Sequence, residues 1–297
     1  MISILDIDFY IPKKLNLKKK YPKVPKRFWS QKVGNYLVPR KSKNEDVISM
    51  CIKAYNKIKS KINKKKIKCI ILCTQNPEYG GLPHNSAIIQ SKIFNNNNNI
   101  TCLDISHGCA GYLYAIKTAE AFLKKDEIGL IFTCDPYSKI INDDFNTDVI
   151  FGDAASVTIV KNSNKGHILK NINFFTSGKD FDAIFKNNNK IVMNGRKVLN
   201  FSTKTVPSFI KNFIESNKIS NLKKIFVHQG SKYMIDLIKH ELNNYSIPSN
   251  FKNLGNTVSS SIPILLKQSE FKKLKKFVVC GFGVGLSISL GYIEKIK

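Results

Sequence analysis

Apolar and polar residues alternate from Met1 to Phe9, the period of a half-buried strand. Residues 12 to 43 break that order, with Pro12, Pro22, Pro25 and Pro39 set among many lysines, and predict irregular surface chain. A helix is expected from Asn44-Glu45-Asp46 to about Ile62, with Val47, Cys51, Ala54, Tyr55 and Ile58 on one face. Ile67 to Thr74 is continuously apolar, as a strand buried on both faces of a parallel sheet should be. The loop Gln75 to Pro83 then leads to a helix over His84 to Phe94, closed by the asparagine run Asn95 to Asn99. Thr101 to Ile105 reads as a short strand and Ser106-His107-Gly108 as a tight turn. From Ala110 onward no charge occurs before Lys117, and a helix uncharged on all faces is a buried helix. Glu127 to Thr133 is another buried strand and Asp135 to Asp148 a polar loop. Phe151-Gly152-Asp153-Ala154-Ala155-Ser156 opens into a strand over Val157 to Val160.

The polar break Lys161 to Lys165 divides the chain into residues 1–161 and 162–297, and the second part repeats the first in outline. Leu222 to Val227 is a strand ending at His228, and Ser231 to Leu242 is the helix after it. Gly255-Asn256-Thr257 leads into Val258 to Leu266, a second uncharged helix start. Phe277 to Cys280 is a buried strand, and Gly281-Phe282-Gly283-Val284-Gly285 leads into Leu286 to Ile293 as Phe151 leads into Val160. The same order in both parts suggests an internal duplication of α/β class, its halves packing sheet to sheet around the two buried helices.

Length allows one large domain or two packed halves with ample core. The net charge of +27 invites a nucleic-acid reading, but only three of the 48 basic residues are arginine: Arg27, Arg40 and Arg196. The lysines arrive with many Asn and Ile residues, as a compositional bias acting on surface positions would produce, so no nucleic acid is expected as partner. A basic surface still suits an acidic protein partner. No stretch approaches the length of a membrane span, and Asp6 and Asp8 interrupt the first apolar run, so neither membrane span nor signal peptide is expected. The seven cysteines form no CxxC pair, which predicts free thiols in a reducing cytoplasm.

One of those cysteines has a distinctive place. Leu103-Asp104-Ile105-Ser106-His107-Gly108-Cys109-Ala110-Gly111-Tyr112 sets Cys109 on a strand-to-helix elbow, at the start of a buried helix. A helix N-terminus presents unpaired N–H groups and favours negative charge, so an acidified, nucleophilic thiol is expected there. Asn256 starts the other buried helix, His228 ends a strand, and Gly283 lies in a turn that brings backbone N–H close to a ligand. Each has a plain alternative: a small buried hydrophobe for Cys109, a cap for His228 or Asn256, tight packing for Gly283. Converging on one floor, the four offer a thiolate, an imidazole, an amide and a backbone donor, which suits acyl chemistry on thioesters.

Asp104 to Tyr114, Phe151-Gly152-Asp153-Ala154, Val227-His228-Gln229, Gly255-Asn256-Thr257 with Ser259-Ser260-Ser261-Ile262-Pro263, and Gly281 to Gly285 resemble the 3-oxoacyl-[acyl-carrier-protein] synthase III family. The resemblance covers nearly the whole chain and implies a thiolase-like duplicated αβαβα layered fold. It implies that Cys109 is acylated by a thioester, with the N–H groups of Cys109 and Gly283 as oxyanion hole. His228 and Asn256 would hold the carbonyl of a malonyl-carrier substrate while carbon dioxide leaves, and the carbanion would attack acyl-Cys109 to give a 3-oxoacyl product. No metal and no cofactor enters that scheme. Met193-Asn194-Gly195 resembles a family segment lining the molecule's centre and places Met193 in the acyl pocket. Thiolases of the same superfamily carry a base cysteine that would fall on Val279, so Cys280 reads as core.

The chain also departs from its relatives. Trp29 lies in the N-terminal segment comparable to one that handles coenzyme A, but Asp135 to Asp148 holds no arginine, so the acyl donor is left as acyl-CoA or an acyl carrier protein. Leu82 stands where members often have an aromatic crossing the dimer axis into the partner's acyl pocket; the resemblance implies a homodimer. Lys232 and Lys239 could dock an acidic carrier or be solvated lysines. Acyl transfer without condensation, and a non-catalytic binding subunit, remain as alternatives; retention of Cys109, His228 and Asn256 favours condensation.

Overall fold

The computed structural model describes residues 1–29, 34, 36–94, 99–142 and 145–297; most of the asparagine run, residues 95–98, lies outside the described residues. Strand β1 (Ile2–Tyr10) is followed by a short hairpin, Lys14–Asn16 with Leu37–Pro39, so the proline-rich segment carries some pairing that its composition did not suggest. Helix α1 (Val47–Asn56) starts on a capping box in which Asp46 and Ser49 satisfy each other's amides, and it stops short of the expected Ile62. Then come β2 (Ile67–Cys73), α2 (Asn85–Phe94), β3 (Thr101–Ile105), α3 (Gly111–Phe122), β4 (Ile128–Cys134) and β5 (Ala155–Asn162).

The second part opens with β6 (Gly166–Thr176) and a hairpin of β7 (Ile184–Asn187) and β8 (Lys190–Met193). Helical chain follows, ending in α4 (Val206–Ser216), then β9 (Ile225–Val227) and α5 (Lys232–Glu241), capped by the Ser231 hydroxyl. The last elements are α6 (Ser261–Gln268), β10 (Lys276–Gly283) and β11 (Ser287–Ile296). The helix expected from Val258 begins later. Val258 to Ser260 form a separate turn, and the regular helix starts at Ser261.

Among the described residues the main strands make a nine-stranded sheet of order β9-β10-β11-β6-β1-β5-β4-β2-β3. Its two wings follow one rule. In the first, β2 is parallel to β4, while β5 is antiparallel to β4 and to β1. In the second, β9 is parallel to β10, while β11 is antiparallel to β10 and to β6. Only β3 lacks a full counterpart; a single parallel bridge, Lys224 to Ser246, stands in its place. The duplication expected from the pattern is therefore present in strand order and sense. The wings do more than face each other: they join edge to edge where Ser3 and Ile4 pair with Ile168 and His167.

The fold is layered α/β. Between the wings lie α3 and α6, whose Tyr112, Leu113, Ile116, Ile262 and Leu265 pack with Ile71 and Ile131 of one wing and Phe226 and Val279 of the other. Outside the first wing, α1 and α2 cover Ile70, Leu72, Leu130 and Val157. Outside the second, α4 and α5 cover Val227, Val278, Cys280 and Leu290. Cys280 thus faces the outer helices while Val279 faces the central ones, as alternation along a strand requires.

The central layer admits little tolerance. A Cβ on Gly281 would stand 2.8 Å from Ala110 Cα and 2.9 Å from the Cys109 carbonyl oxygen, both main chain. Gly281→Ala is expected to destabilise the protein by about 1–3 kcal/mol, because backbone on both sides must shift. Gly178→Ala, with nothing near its Cβ position, is expected to leave stability unchanged. Urea unfolding midpoints check the pair; equal midpoints would refute the close-approach account.

Candidate active site

Five of the residues singled out from the sequence meet in one place. A cavity of about 200 Å³ between the wings is lined by Cys109, His228, Asn256, Gly283 and Met193, with Phe151 and Phe282 among the apolar walls. Cys109 is reached by the elbow between β3 and α3. Gly108 permits it: a Cβ there would lie 2.4 Å from Gln75 Oε1. The Cys73 thiol, 3.0 Å from the His107 carbonyl, and the Ser289 hydroxyl, donating to the Ala110 carbonyl at 2.7 Å, brace the elbow from the two wings.

Gly283 ends β10 with φ +156°, and a Cβ on it would stand 2.9 Å from the Cys109 sulfur. Its absent side chain lets the following turn close over the thiol. The amide that bears on the sulfur is the next one along, that of Val284, together with the amide of Cys109 itself. The amide nearest the sulfur is thus that of Val284 rather than that of Gly283, and Gly283 provides the clearance.

The resting thiol is not acidified, contrary to expectation. Burial and the nearby Asp135 charge push Cys109 up to about 12, against the opposing pull of the two amides. Asp135 itself is wholly buried, where the sequence pattern suggested a polar loop. Burial pushes its carboxyl up to about 6, while hydrogen bonds from Ser259, Gln75 and Thr74 restrain it. Two residues of that loop, 143–144, lie outside the described residues.

His228 is buried at the end of β9, its N–H donating to the Cys280 carbonyl at 2.9 Å. Burial lowers its imidazole to about 3, so the ring is neutral at physiological pH. Its Nδ1 lies 2.7 Å from the hydroxyl of Ser261, the first residue of α6. Phe282 meets the ring edge to face at 5.5 Å.

Asn256 is not a helix cap; it lies five residues before α6, in a loop stapled to the first wing. Its N–H donates to the Ile150 carbonyl at 2.8 Å, and its carbonyl accepts from Gly152 at 2.9 Å. The Phe151-Gly152-Asp153 motif is the other half of that staple. Gly152 has no room for a Cβ, which would sit 2.0 Å from the Leu254 oxygen, and the Asp153 carboxylate accepts from the Lys41 and Ser138 amides. The Asn256 Oδ1 accepts from the Val258 N–H at 2.8 Å, which leaves the Nδ2 hydrogens free to donate to a ligand. Val258 holds φ +50°, a costly conformation for a β-branched residue, retained where it orients a functional amide.

The remaining candidates lie elsewhere. Lys232 and Lys239, with Lys18, Lys26 and Trp29, line a separate basic cavity of about 450 Å³, next along the chain from Ser231 of the catalytic cavity. Leu82 is 85% exposed, at the end of the loop after β2, and lines neither cavity. Sequence patterns gave no hint of Val284, Ser261 or Asp135.

With that geometry in view, comparison with known proteins is decisive. The 3-oxoacyl-[acyl-carrier-protein] synthase III profile matches residues 103–178 and its C-terminal companion matches residues 215–294. The beta-ketoacyl-[acyl-carrier-protein] synthase III of Prochlorococcus marinus is 30% identical over 252 residues, 74% of this chain and 73% of that protein. The chain belongs to the 3-oxoacyl-[acyl-carrier-protein] synthase III family. The namesake enzyme of Clostridium acetobutylicum is 29% identical over 317 aligned positions, covering 96% of each chain. The fold matches the crystal structure of 3-oxoacyl-[acyl-carrier-protein] synthase III from Aquifex aeolicus with a TM-score of 0.89 at 20% identity, covering 99% of this chain and 100% of that one. A priming beta-ketosynthase of the R1128 polyketide pathway matches with a TM-score of 0.85 at 18% identity, covering 99% and 96%.

The electrostatics of the Cys109 thiol can be tested in this family member without substrate. Asp135 raises the thiol, so Asp135→Asn lowers it, and alkylation of Cys109 by iodoacetamide at pH 8 is expected to speed up roughly tenfold for a shift of about one pKa unit. Below about pH 6 the native carboxyl is itself protonated, so the two rates should converge at pH 5. A variant-to-wild-type ratio that does not change with pH would refute Asp135 as the cause.

Proposed function

We propose that this chain catalyses decarboxylating Claisen condensation between an acyl thioester and a malonyl-carrier thioester. The observation that carries the reading is the meeting of Cys109, His228 and Asn256 in one apolar cavity, with the Cys109 and Val284 amides against the sulfur.

Cys109 attacks the acyl thioester; the carbon–sulfur bond to the carrier breaks, and the proton leaves with the carrier thiol. The two amides stabilise the oxyanion of the tetrahedral intermediate. The malonyl thioester then enters the same cavity. Its carboxylate leaves as carbon dioxide, and the electron pair of the broken bond becomes an enolate. The enolate oxygen is held by Asn256 Nδ2 and His228 Nε2. Its carbon attacks acyl-Cys109, the new carbon–carbon bond forms, and Cys109 leaves as thiolate, to be reprotonated.

A neutral imidazole suits this role better than a cation, since it donates one hydrogen bond and introduces no net charge. In the proposed arrangement the Ser261 hydroxyl, 2.7 Å from Nδ1, donates to it, and the ring proton is on Nε2. Ser261 is thus a positioning residue. Lys18, Lys26, Lys232 and Lys239 give the 450 Å³ cavity a basic lining, suited to the phosphate of a carrier arm or to an acidic carrier protein. The exposed Leu82 and Tyr79, on the loop near the sheet-end strand β3, support a homodimer in which a second copy covers them. The two wings support a division near the end of the strand Ala155–Asn162, close to the expected 1–161 and 162–297.

The reading is tested by intact-mass spectrometry after incubation with acyl thioesters. One acyl mass is expected on wild type and none on Cys109→Ala; absence of an adduct from every thioester would sink the mechanism. Ser261→Ala is expected to form the acyl-enzyme at the wild-type rate yet release labelled carbon dioxide from malonyl carrier about tenfold more slowly, with Ser261→Thr restoring most of the rate. Equal loss in both half-reactions would assign Ser261 a merely structural role.

A further inference from the structure

In the motif Val227-His228-Gln229 the third residue has no task in the reaction scheme above. Gln229 lies just past the end of β9, directly after His228, and is wholly buried. Both ends of its side-chain amide are engaged. Nε2 donates to the Val227 carbonyl at 2.8 Å, and Oε1 accepts from the Ser249 hydroxyl at 2.8 Å and from the Asn250 N–H at 3.1 Å. A carbonyl on one side and a main-chain N–H on the other require a donor and an acceptor in the same group. An amide has both; a carboxylate has no donor, and methionine has no donor and only a weak acceptor. Burying an amide is costly unless it is paired, and a paired one holds a single arrangement.

The segments it joins carry the two donors of the cavity. On one side stands His228, whose ring meets Ser261. On the other, Asn250 opens a single helical turn, Phe251–Leu254, with both of its end residues buried. Within that turn the Leu254 N–H donates to the Asn250 carbonyl at 3.2 Å and the Gly255 N–H to the Phe251 carbonyl at 2.8 Å. Asn256 follows at once. The chain from Asn250 to Asn256 is thus braced by its own hydrogen bonds, and a displacement at Asn250 is passed on to Asn256. The bonds from Asn256 to Ile150 and Gly152 reach the first wing, not β9. The bridge from Lys224 to Ser246 lies at the other end of β9. Gln229 makes the tie to this loop at the level of His228.

We propose that Gln229 is a positioning residue for decarboxylation: it fixes the spacing between His228 Nε2 and Asn256 Nδ2, the two donors that must reach one enolate oxygen together. The inference rests on the condensation reading set out above and adds a residue to it. Two donors that share one oxygen are sensitive to their separation, and a misplacement of about 1 Å can cost about a hundredfold in rate. Acylation of Cys109 relies instead on the Cys109 and Val284 amides, which Gln229 does not touch.

The two half-reactions are measured separately on the full-length protein. Gln229→Met is expected to form acyl-Cys109 from a butyryl thioester within about twofold of the wild-type rate, yet to release labelled carbon dioxide from malonyl carrier at least about tenfold more slowly. Ser249→Ala, at an exposed residue, removes one of the two bonds to Oε1 and is expected to slow the same step about threefold, which keeps the test in force where Gln229→Met does not fold. The deciding readout is a double-mutant cycle with Asn256→Ala. With that amide gone no spacing is left to hold, so either substitution is expected to slow the residual decarboxylation by less than about twofold further. A loss that multiplies in full in the Asn256→Ala background, an equal loss in both half-reactions, or unchanged decarboxylation in both variants overturns the proposal. A wild type that releases no carbon dioxide overturns the condensation reading beneath it as well.

Discussion

The site depends on how closely main chain from the two wings approaches. Gly281 lies against the Cys109–Ala110 peptide, Gly283 against the Cys109 sulfur, and Gly152 against the Leu254 carbonyl, each at a distance that excludes a Cβ. Close backbone approach is what brings two amides to one sulfur, and only glycine at these contacts allows it. The hydroxyl of Ser289 reaching Ala110 and the thiol of Cys73 reaching His107 fix the same elbow from opposite wings. Because all of these contacts except that of Cys73 cross from one half of the duplicated fold to the other, Cys109 is positioned only when both halves are in place.

That geometry also sets the charge state. A thiol at a helix end in water would be acidified, but here burial and Asp135 outweigh the amides and Cys109 is raised. His228, buried beside Phe282, is lowered until it is neutral. The thiol and the imidazole are therefore both uncharged at rest, although the chain carries a net charge of +27, and the charge beside them is the Asp135 carboxylate. An apolar cavity makes hydrogen-bond donors most effective at the moment an oxyanion or enolate forms. The preorganised amides then matter more than a pre-formed thiolate.

Much of this was legible in the sequence, for a definable reason. Cys109 and His228 stand at or next to element ends, and Asn256 in a loop, where the pattern changes from continuous apolar runs to glycine and polar residues, so local periodicity exposes them. The duplicated strand order was legible because both wings use buried, continuously apolar strands. Residues 166 to 221 were not, because β6 has an irregular exposure pattern and the helical chain before Ser216 carries polar residues on several faces. Val284 acts through its main-chain N–H, which any residue would supply. Ser261 acts on a histidine 33 residues away, a relation no local pattern contains. The acidified thiol was misjudged because burial, unlike helix-end position, cannot be read from neighbouring residues.

The lysine and asparagine bias that dominates the surface makes buried polar groups more informative. A residue enriched by composition settles first where solvent tolerates it, and an interior position that keeps an unpaired polar atom does so against a free-energy cost. Among the described residues, unpaired buried side-chain atoms occur at Ser3, Tyr55, Asn76, Ser86 and Asp135. Three are hydroxyls, the cheapest groups to bury. The other two are an amide and a carboxyl, and they are joined through consecutive residues: the Asp135 carboxylate accepts from the Gln75 amide, and Asn76 follows. Of the two, Asp135 is close enough to Cys109 to raise its thiol. Control of the thiol supplies a reason to keep a buried carboxyl there against its cost to stability.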